Sequence, residues 1–401
     1  MTKNFADSRG RRRLVGSVMT LGRHRFDGLR GLGVVVVLGL VTSCADDTHE
    51  EAPQSWTERP EPPADMQAFF APDDESDACA LSGPPAASSG DVLVFRDAFD
   101  GDTVDVEKWN LANTFVGFAG SINSSAPGQA KVRDGSLLLT ADRNPTDAKH
   151  PFVSAALDSR GTFARTYGKV ELRARFPKAP GVWYSLIGRP WADTYPIVKV
   201  ELINRSSSDK TQLYFGNEWA GAEVPDADRR LSSLVEGIDF SEPHTYAIDW
   251  RPDSIEWRID GVTKMTSKGA GVGHTPMYWT MGAWVGGWPG QPSESVALPV
   301  SFEIADFSIS RVDGIVGEPG VVVRSPKSTY FRDESLSVQL ANFDEACAHV
   351  DVYEGAWRVA RRSKPPYRFA LQKISHGKHD FTFVASDGVR TAKSSLSIQV
   401  N

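Results

Sequence analysis

The chain has 401 residues, of which 24% are charged and 40% hydrophobic, as is typical of a soluble protein with room for two domains and a tail. The formal net charge is -7 and the folded part has no dense basic stripe, which argues against nucleic acid as a partner. The 35 glycines, 25 prolines and 11 tryptophans favour a turn-rich, aromatic-rich β protein.

Residues 1–43 have the pattern of a targeting segment. Basic residues such as Arg23, Arg25 and Arg30 precede an apolar run at 31–41, which is shorter than the ~20 residues of a membrane-spanning helix. The run ends in VTSC, which resembles a bacterial lipobox. This resemblance implies a lipoprotein signal peptide, lipid attachment at Cys44 and membrane anchoring in the bacterial cell envelope, at the outer membrane or cell surface. An ordinary signal peptide with an incidental cysteine is the alternative.

Residues 44–89 are rich in Asp, Glu, Pro, Ser and Ala, which predicts a disordered tether. Cys79 in this segment and Cys347 near the C-terminus would form a disulfide in an oxidising envelope, or would both stay free thiols. The sequence does not choose between the two.

Short apolar runs between turn residues recur from 90 to 313, for example SLLLTA, KVELRARF and SIEWRI. No long helical period interrupts them, so the region is predicted to be all-β. GIVGEPG at 314–320 has the composition of a linker. Residues 321–401 contain further alternating runs that predict a small Ig-like β-sandwich.

Several of these runs carry a family resemblance, in the family's order: VFRDAFDGDTVDVEKWN, FARTYGKVELRARFPKAPGVWYSLIG, PHTYAIDWRPDSIEWRIDG and MYWTMGAWVGGWPG. They resemble glycoside hydrolase family 16, which implies a concanavalin A-like β-sandwich jelly roll acting on polysaccharide without a cofactor. VKVELINRSSSDKTQLYFGN is similar to the branch of plant xyloglucan endotransglycosylases and fungal crosslinking enzymes. The resemblance places Asp306 at a structural calcium ligand position; one aspartate is weak evidence, so calcium is left open.

The family's catalytic strand has the pattern E-x-D-x-E, or E-x-D-x-x-E with a bulge. Retaining cleavage needs two carboxyl groups about 5–5.5 Å apart. Without a bulge, Ile197 takes the nucleophile position, Lys199 the central position and Glu201 the acid/base position. With a bulge, Lys199 takes the nucleophile position and Asn204 the acid/base position. We favour the first alignment, and the nucleophile is lost in both.

An ion pair with Lys199 would lower the pKa of Glu201, whereas a retaining acid/base needs a raised pKa. A replacement carboxylate could come from elsewhere, and the candidates are Asp193, Glu218, Glu223 and Asp226. Aromatic side chains that could stack on sugar rings are Trp183, Tyr184, Trp191, Tyr214, Trp284 and Trp288. Of these, Trp183, Tyr214, Trp284 and Trp288, together with Lys199, are predicted to bind substrate.

The sequence thus predicts a lipid-anchored protein that binds polysaccharide with degenerate catalytic acids. One alternative is an active glycosidase or transglycosylase that acts on O-glycosyl bonds of β-glucan-type polysaccharide. A structural or adhesion protein, with a vestigial cleft, is the second.

Overall fold

The structure, a computed structural model, describes residues 90–113, 120–191, 196–207, 210–219, 230–324, 326–343, 347–371 and 374–401. These residues all belong to the second of two compact units, Ser55–Asn401. The predicted signal peptide and tether, with Cys44 and Cys79, lie outside the described residues, as do the candidate carboxylates Asp193, Glu223 and Asp226.

The first β region is built from strands of two to twelve residues. They are β1 Val92–Asp97, β2 Asn110–Leu111, β3 Asn123–Ser125, β4 Ala130–Arg133, β5 Ser136–Arg143, β6 Phe152–Ser154, β7 Ala156–Asp158, β8 Gly168–Arg175, β9 Val182–Pro190, β10 Ile197–Asn204, β11 Thr211–Glu218, β12 Arg230–Val235, β13 His244–Trp250, β14 Ser254–Ile259, β15 Val262–Lys268, β16 Met277–Val285 and β17 Val300–Arg311. Short 3-10 helices lie at Pro127–Gln129 and Gly269–Gly271.

These strands form two sheets. One sheet has the order β15-β14-β13-β8-β17-β5-β6-β3, with β1 paired to β17 and β4 paired to β5. The other has seven strands in the order β12-β11-β10-β9-β16-β7-β2. Alternation along each strand sends one set of side chains into the space between the sheets, as Ile255, Trp257 and Ile259 show on β14. The main hydrophobic core draws on both sheets, which makes the region a β-sandwich.

The C-terminal β region has its own core, formed by residues between Val321 and Val400. Its strands are β18 Gly320–Val323, β19 Thr329–Tyr330, β20 Ser335–Ala341, β21 His349–Glu354, β22 Trp357–Arg362, β23 Tyr367–Ala370, β24 Gly377–Ser386 and β25 Thr391–Val400. They form a three-stranded sheet, β18-β20-β23, and a five-stranded sheet, β19-β25-β24-β21-β22. The described residues contain no α-helix, and the prediction of an all-β protein is confirmed.

Cys347 is disulfide-bonded, with its partner outside the described residues, so the free-thiol alternative is wrong for this cysteine. Within the described part of the chain, no helix has the length and apolar character needed to cross a membrane.

The two β regions are joined by side-chain hydrogen bonds. Asn342 accepts a hydrogen bond from the backbone N–H of Thr166 at 2.9 Å and donates one to the carbonyl of Glu318 at 2.6 Å. Beside this contact, Trp191 packs with Tyr278 and Ala341. Buried hydrogen bonds with defined partners hold the C-terminal region in one orientation on the first.

Candidate functional site

Strand β10 turns its two sets of side chains to opposite faces of the seven-stranded sheet. Val198, Val200 and Leu202 point into the main core. Lys199 and Glu201, which alternate with them, therefore point to the other side, here called the outer face. Their exposed fractions are only 8% and 3%. The predicted site thus lies on the sheet surface away from the core, but its charged groups are nearly shielded from solvent.

The structure distinguishes between the two alignments of this strand. Residues 197–204 pair with β11, and residues 198–203 with β9, without any register shift, so the strand has no bulge. Asn204 is occupied structurally, since its amide donates to the carbonyl of Val182 at 3.1 Å and its oxygen accepts from the Thr211 hydroxyl at 2.8 Å. The bulged alignment, with Asn204 as acid/base, is wrong for this fold.

Lys199 lies between two carboxylates. Its Nζ is 3.0 Å from Oε2 of Glu201 and 2.9 Å from Oε1 of Glu218 on the neighbouring strand. Because both oxygens lie within 3.0 Å of one nitrogen, they are no more than about 6 Å apart, close to the carboxyl separations that glycoside cleavage uses. Of the candidate replacement carboxylates, Glu218 is the one that the described residues bring to Glu201.

A glycine lets Lys199 reach Glu218. Gly216 is the residue opposite Lys199 on β11, and a Cβ built there would lie 2.6 Å from Lys199 Cε and 2.8 Å from its Cγ. The lysine side chain therefore lies over the backbone of β11, along the direction of Glu218. Sequence reasoning missed this role, although the antiparallel register of the two strands would have indicated it.

Four predicted aromatic residues also lie on the outer face, near the other end of β10. Trp183 and Trp284 are register partners with ring centroids 5.8 Å apart. Trp183 donates to the carbonyl of Gly286, and Trp284 donates to the hydroxyl of Ser185 at 2.9 Å. Both tryptophans are buried, at 0% and 2% exposure, so they form the floor of the site.

Tyr214 and Trp288 are the half-buried members of the aromatic set. Their ring centroids lie 5.5 Å apart at an interplanar angle of 32°. The Trp288 ring centroid is also 5.4 Å from Lys199 Nζ, within the range of a cation–π contact. This pair offers the aromatic surface that a sugar ring can reach in the described part of the site.

Two other aromatic candidates are not part of this surface. Tyr184 belongs to the main core at 0% exposure, where burial raises the pKa of its hydroxyl, so its interpretation as a sugar platform is wrong. Trp191 packs at the junction with the C-terminal region, where its ring lies against Gly320. That role could not be inferred without knowing how the two β regions meet.

Arg189 is a charged group that sequence reasoning did not single out. It is the register partner of Tyr278, on the same outer face as Lys199. Burial lowers the pKa of Arg189, and the charge of Arg160 lowers it further, whereas Tyr278, Glu201 and Glu218 act in the opposite direction. Positive charge thus continues from Lys199 along this face towards the junction.

No group of three or more His, Cys, Asp or Glu side chains in the described ranges is arranged to hold a metal ion. Asp306, the residue aligned with a calcium ligand, is engaged elsewhere, since its Oδ2 is 2.7 Å from Arg96 Nη2. The described part of the outer face offers a lysine, an arginine, two glutamates and aromatic rings.

Residues 121–298 match the sequence model described as Glycosyl hydrolases family 16. Curated relatives include "Glucan endo-1,3-beta-glucosidase A1" of Niallia circulans, with 26% identity over 47% of this chain and 31% of the relative. "Beta-glucanase" of Rhodothermus marinus is 29% identical over 42% of this chain and 62% of the relative. "Crh-like protein 2" of Aspergillus fumigatus is 27% identical over 58% and 56%. The chain thus spans between 31% and 62% of the lengths of these relatives.

Solved structures agree on the fold. The catalytic domain of a laminarinase from Thermotoga petrophila aligns with a TM-score of 0.50 and 23% identity, over 56% of this chain and 99% of the other. The laminarinase from Rhodothermus marinus aligns with a TM-score of 0.50 and 21% identity, over 55% and 98%. The family match covers the strands that carry Lys199, Glu201 and Glu218, so residues 121–298 are similar to glycosyl hydrolases of family 16, and the first β region shares the fold of these solved structures.

Proposed function

We propose that the protein binds polysaccharide of the β-glucan type or a related one along the outer face of the seven-stranded sheet, and that it does so without cleaving it. The observation that carries this proposal is the position of Lys199. Its ammonium forms ion pairs with both Glu201 and Glu218 and lies between the two carboxylates.

The chemistry of retaining cleavage requires one free carboxylate to attack the anomeric carbon and a second, protonated one to assist departure of the leaving group. The position aligned with the attacking carboxylate holds Ile197, which has no nucleophilic atom. Glu201 lies at the aligned acid/base position, but its Oε2 is 3.0 Å from the ammonium of Lys199. The nucleophile position is thus held by an aliphatic side chain, and the acid/base position by a carboxylate that contacts a lysine.

Binding does not need free acids. Trp288 and Tyr214 offer half-buried rings next to the charged cluster, and pyranose rings bind to such surfaces through their C–H faces. Trp183 and Trp284 pack against these rings, and each is fixed by its own hydrogen bond to Gly286 or Ser185. A rigid aromatic surface beside polar groups is the arrangement expected of a carbohydrate-binding site.

The experiment is affinity electrophoresis of the full chain in gels containing laminarin, mixed-linkage glucan, xyloglucan, agarose, chitin fragments or an acidic polysaccharide. We expect retardation by at least one of these polymers, with no release of reducing ends. Folded protein that migrates unretarded through every gel would contradict binding and favour a structural or adhesion role.

The second candidate function is an active glycosidase or transglycosylase. The observation that favours it is the separation of at most about 6 Å between an oxygen of Glu201 and one of Glu218, near the 5–5.5 Å of retaining enzymes. Substrate would then have to displace Lys199 from between them. Turnover of labelled oligosaccharides that disappears in both Glu201→Gln and Glu218→Gln would establish this function in place of binding alone.

We further propose that the protein is a lipoprotein of the bacterial envelope, anchored through Cys44. The support is the pattern of basic residues, apolar run and VTSC in the sequence. Expression with labelled fatty acid should label the wild-type chain and leave Cys44→Ser unlabelled. Equal labelling of the two would contradict the anchor.

A further inference from the structure

A cavity lies at the junction between the two β regions. It has a volume of about 280 Å³ and is lined by residues of both regions, among them Asp158, Arg160, Arg324 and Arg368. Small-molecule sites span about 300–1,000 Å³, so this cavity suits one sugar unit or a small anion and not a long chain segment. We refer to it as the junction pocket.

The walls of the junction pocket are held in place by one contact between the two regions and one within the C-terminal region. Arg324 Nη1 donates to the carbonyl of Trp191 at 2.7 Å, and the backbone N–H of Arg324 donates to Ser337 at 2.7 Å. A further contact between the regions, from the Thr166 backbone N–H to Asn342, involves residues that are near the lining residues Thr162 and Ser337 in the sequence. A pocket built on such fixed contacts does not have to be assembled when its ligand arrives.

The pocket carries an excess of positive charge. Arg160 lies 3.8 Å from Asp158 and donates to the hydroxyl of Tyr278 at 2.6 Å. No ion pair links Arg324 or Arg368 to a carboxylate among the described residues, and the buried Nε of Arg324 has no hydrogen-bond partner there. The lining of the pocket therefore carries three arginines and one aspartate.

Electrostatics at Arg324 agree with this geometry. Burial lowers the pKa of Arg324, and the positive charge of Arg160 lowers it further, with Tyr278 and Asp158 opposing both effects. Burial and like charge each destabilise the protonated guanidinium, and a bound anion would offset them through its opposite charge. Arginine also presents paired donors that match the geometry of carboxylate and sulfate oxygens.

The junction pocket adjoins the outer face. Asp158 is the register partner of Thr280 on β16, and Tyr278, two residues along that strand, is the partner of Arg189. The pKa of Arg189 is lowered by the charge of Arg160 in the pocket and raised by the charges of Glu201 and Glu218 on the outer face. A polysaccharide crossing the outer face near Lys199 would thus have the pocket within its reach at one end of the strands.

We propose that the junction pocket binds an oxyanion substituent, a carboxylate or a sulfate ester, of an acidic polysaccharide that lies on the outer face. The inference rests on the proposed polysaccharide binding and adds the chemical class of the ligand. Arg324 and Arg368 are assigned to the oxyanion, and Asp158 and Asn110, which also line the pocket, are assigned to the sugar hydroxyls beside it.

The test is titration calorimetry of the full chain at constant ionic strength with four probes: an oligogalacturonate, a sulfated galactan tetrasaccharide, laminaritetraose and sodium sulfate. We expect tighter binding of at least one acidic oligosaccharide than of laminaritetraose or sulfate. The Arg324→Gln/Arg368→Gln variant should weaken that binding by about tenfold or more, since a charge-assisted hydrogen bond is worth at least that factor. Binding of laminaritetraose should stay unchanged.

Arg133→Gln is the matched control for the single variant Arg368→Gln, because Arg133 is a well-exposed arginine on a hairpin of the first region and each of these two changes removes one positive charge. Arg368→Gln alone carries the test if the double variant is shown by circular dichroism to be unfolded.

Equal effects of the control and pocket variants, equal binding of acidic and neutral probes, or sulfate binding as tight as that of the oligosaccharide would each overturn the inference. If laminaritetraose binds and the acidic preference is absent, the junction pocket proposal alone fails. If no glycan binds, both proposals fail.

Discussion

The side chain of Lys199 lies across the backbone of Gly216, with the position of a missing Cβ only 2.6 Å from Lys199 Cε. This close approach places the ammonium within 2.9 Å of Glu218, on the same strand as the glycine. The geometry of the charged cluster therefore depends on a residue that has no side chain.

Gly216→Ala is expected to push Lys199 away from Glu218 and to destabilise the fold by about 1–3 kcal/mol, the range for overpacking a filled site. Urea unfolding measures the change. Gly128→Ala is the control, because a Cβ there meets no atom within 4 Å. Equal stability of the two variants would show that the lysine adapts without cost.

Removal of the charge at Lys199 leaves two carboxylates close together with little solvent around them. Lys199→Met is expected to cost about 3–5 kcal/mol of unfolding free energy, because removing one member of a buried ion pair leaves the charge of the other uncompensated. Lys169→Met provides the comparison: Lys169 pairs with Glu171 at 2.9 Å on a more exposed strand face, so its loss should cost less than about 1 kcal/mol. Denaturation curves showing similar costs for the two variants would contradict the buried character of the cluster.

Trp288→Ala should weaken binding of any retained polysaccharide by about tenfold, which corresponds to about 1.4 kcal/mol of lost stacking. The dissociation constant is obtained from the gel mobility at increasing polymer concentration. Trp357→Ala in the C-terminal region is the control, since Trp357 begins β22 far along the chain from the outer face residues. Undiminished retardation of Trp288→Ala would place the sugar elsewhere.

Restoring the acids should restore cleavage. The Ile197→Glu/Lys199→Asp variant recreates E-x-D-x-E in the alignment that ends at Glu201, and it removes the ammonium from between the carboxylates. We expect it to release reducing ends from β-1,3-glucan oligosaccharides where the wild type does not, and we expect Glu201→Gln in the same background to abolish the release. Lys199→Asp alone, which lacks the nucleophile, should remain inactive.

Stability of the C-terminal region should fall in mild acid because of His349. Burial lowers the pKa of His349. The charge of Asp351 raises this pKa, and the charge of Arg361 lowers it further. The unfolded chain then takes up a proton near the usual histidine pKa of about 6.5 before the folded chain does, so the contribution is present above that pH and lost as pH falls below it. Urea unfolding from pH 8 to 5 should show a shallower decline in His349→Gln than in the wild type, and an identical decline would rule out this group.

The sequence was most informative where the pattern is local. Alternation along 197–204 predicted which residues share a face, and the family alignment predicted that Lys199 and Glu201 lie together. Glu218 could be named only as one of several carboxylates, because its approach depends on the register between β10 and β11 and on the glycine that lets Lys199 cross. Tyr184 shows the opposite error, since the residue next to a cleft tryptophan on a strand points into the core.

Long-range packing was beyond the sequence altogether. Trp191 was predicted as a residue that could stack on a sugar ring, as an aromatic side chain near the site in the sequence, but it lies against Gly320 in the second β region. Of the three arginines of the junction pocket, Arg160 lies far from Arg324 and Arg368 in the sequence, and no periodic pattern relates them. Only the way in which the two β regions meet brings these charges together.

The hydrogen bonds of Asn342 to Thr166 and Glu318 have a practical meaning for anyone dissecting this chain. Truncation before residue 314 would remove the residues that pack on Tyr278 and Ala164, which are 6% and 3% exposed. The remaining fragment would then expose an apolar patch. The two β regions are thus better engineered as one inseparable body than as modules to be exchanged.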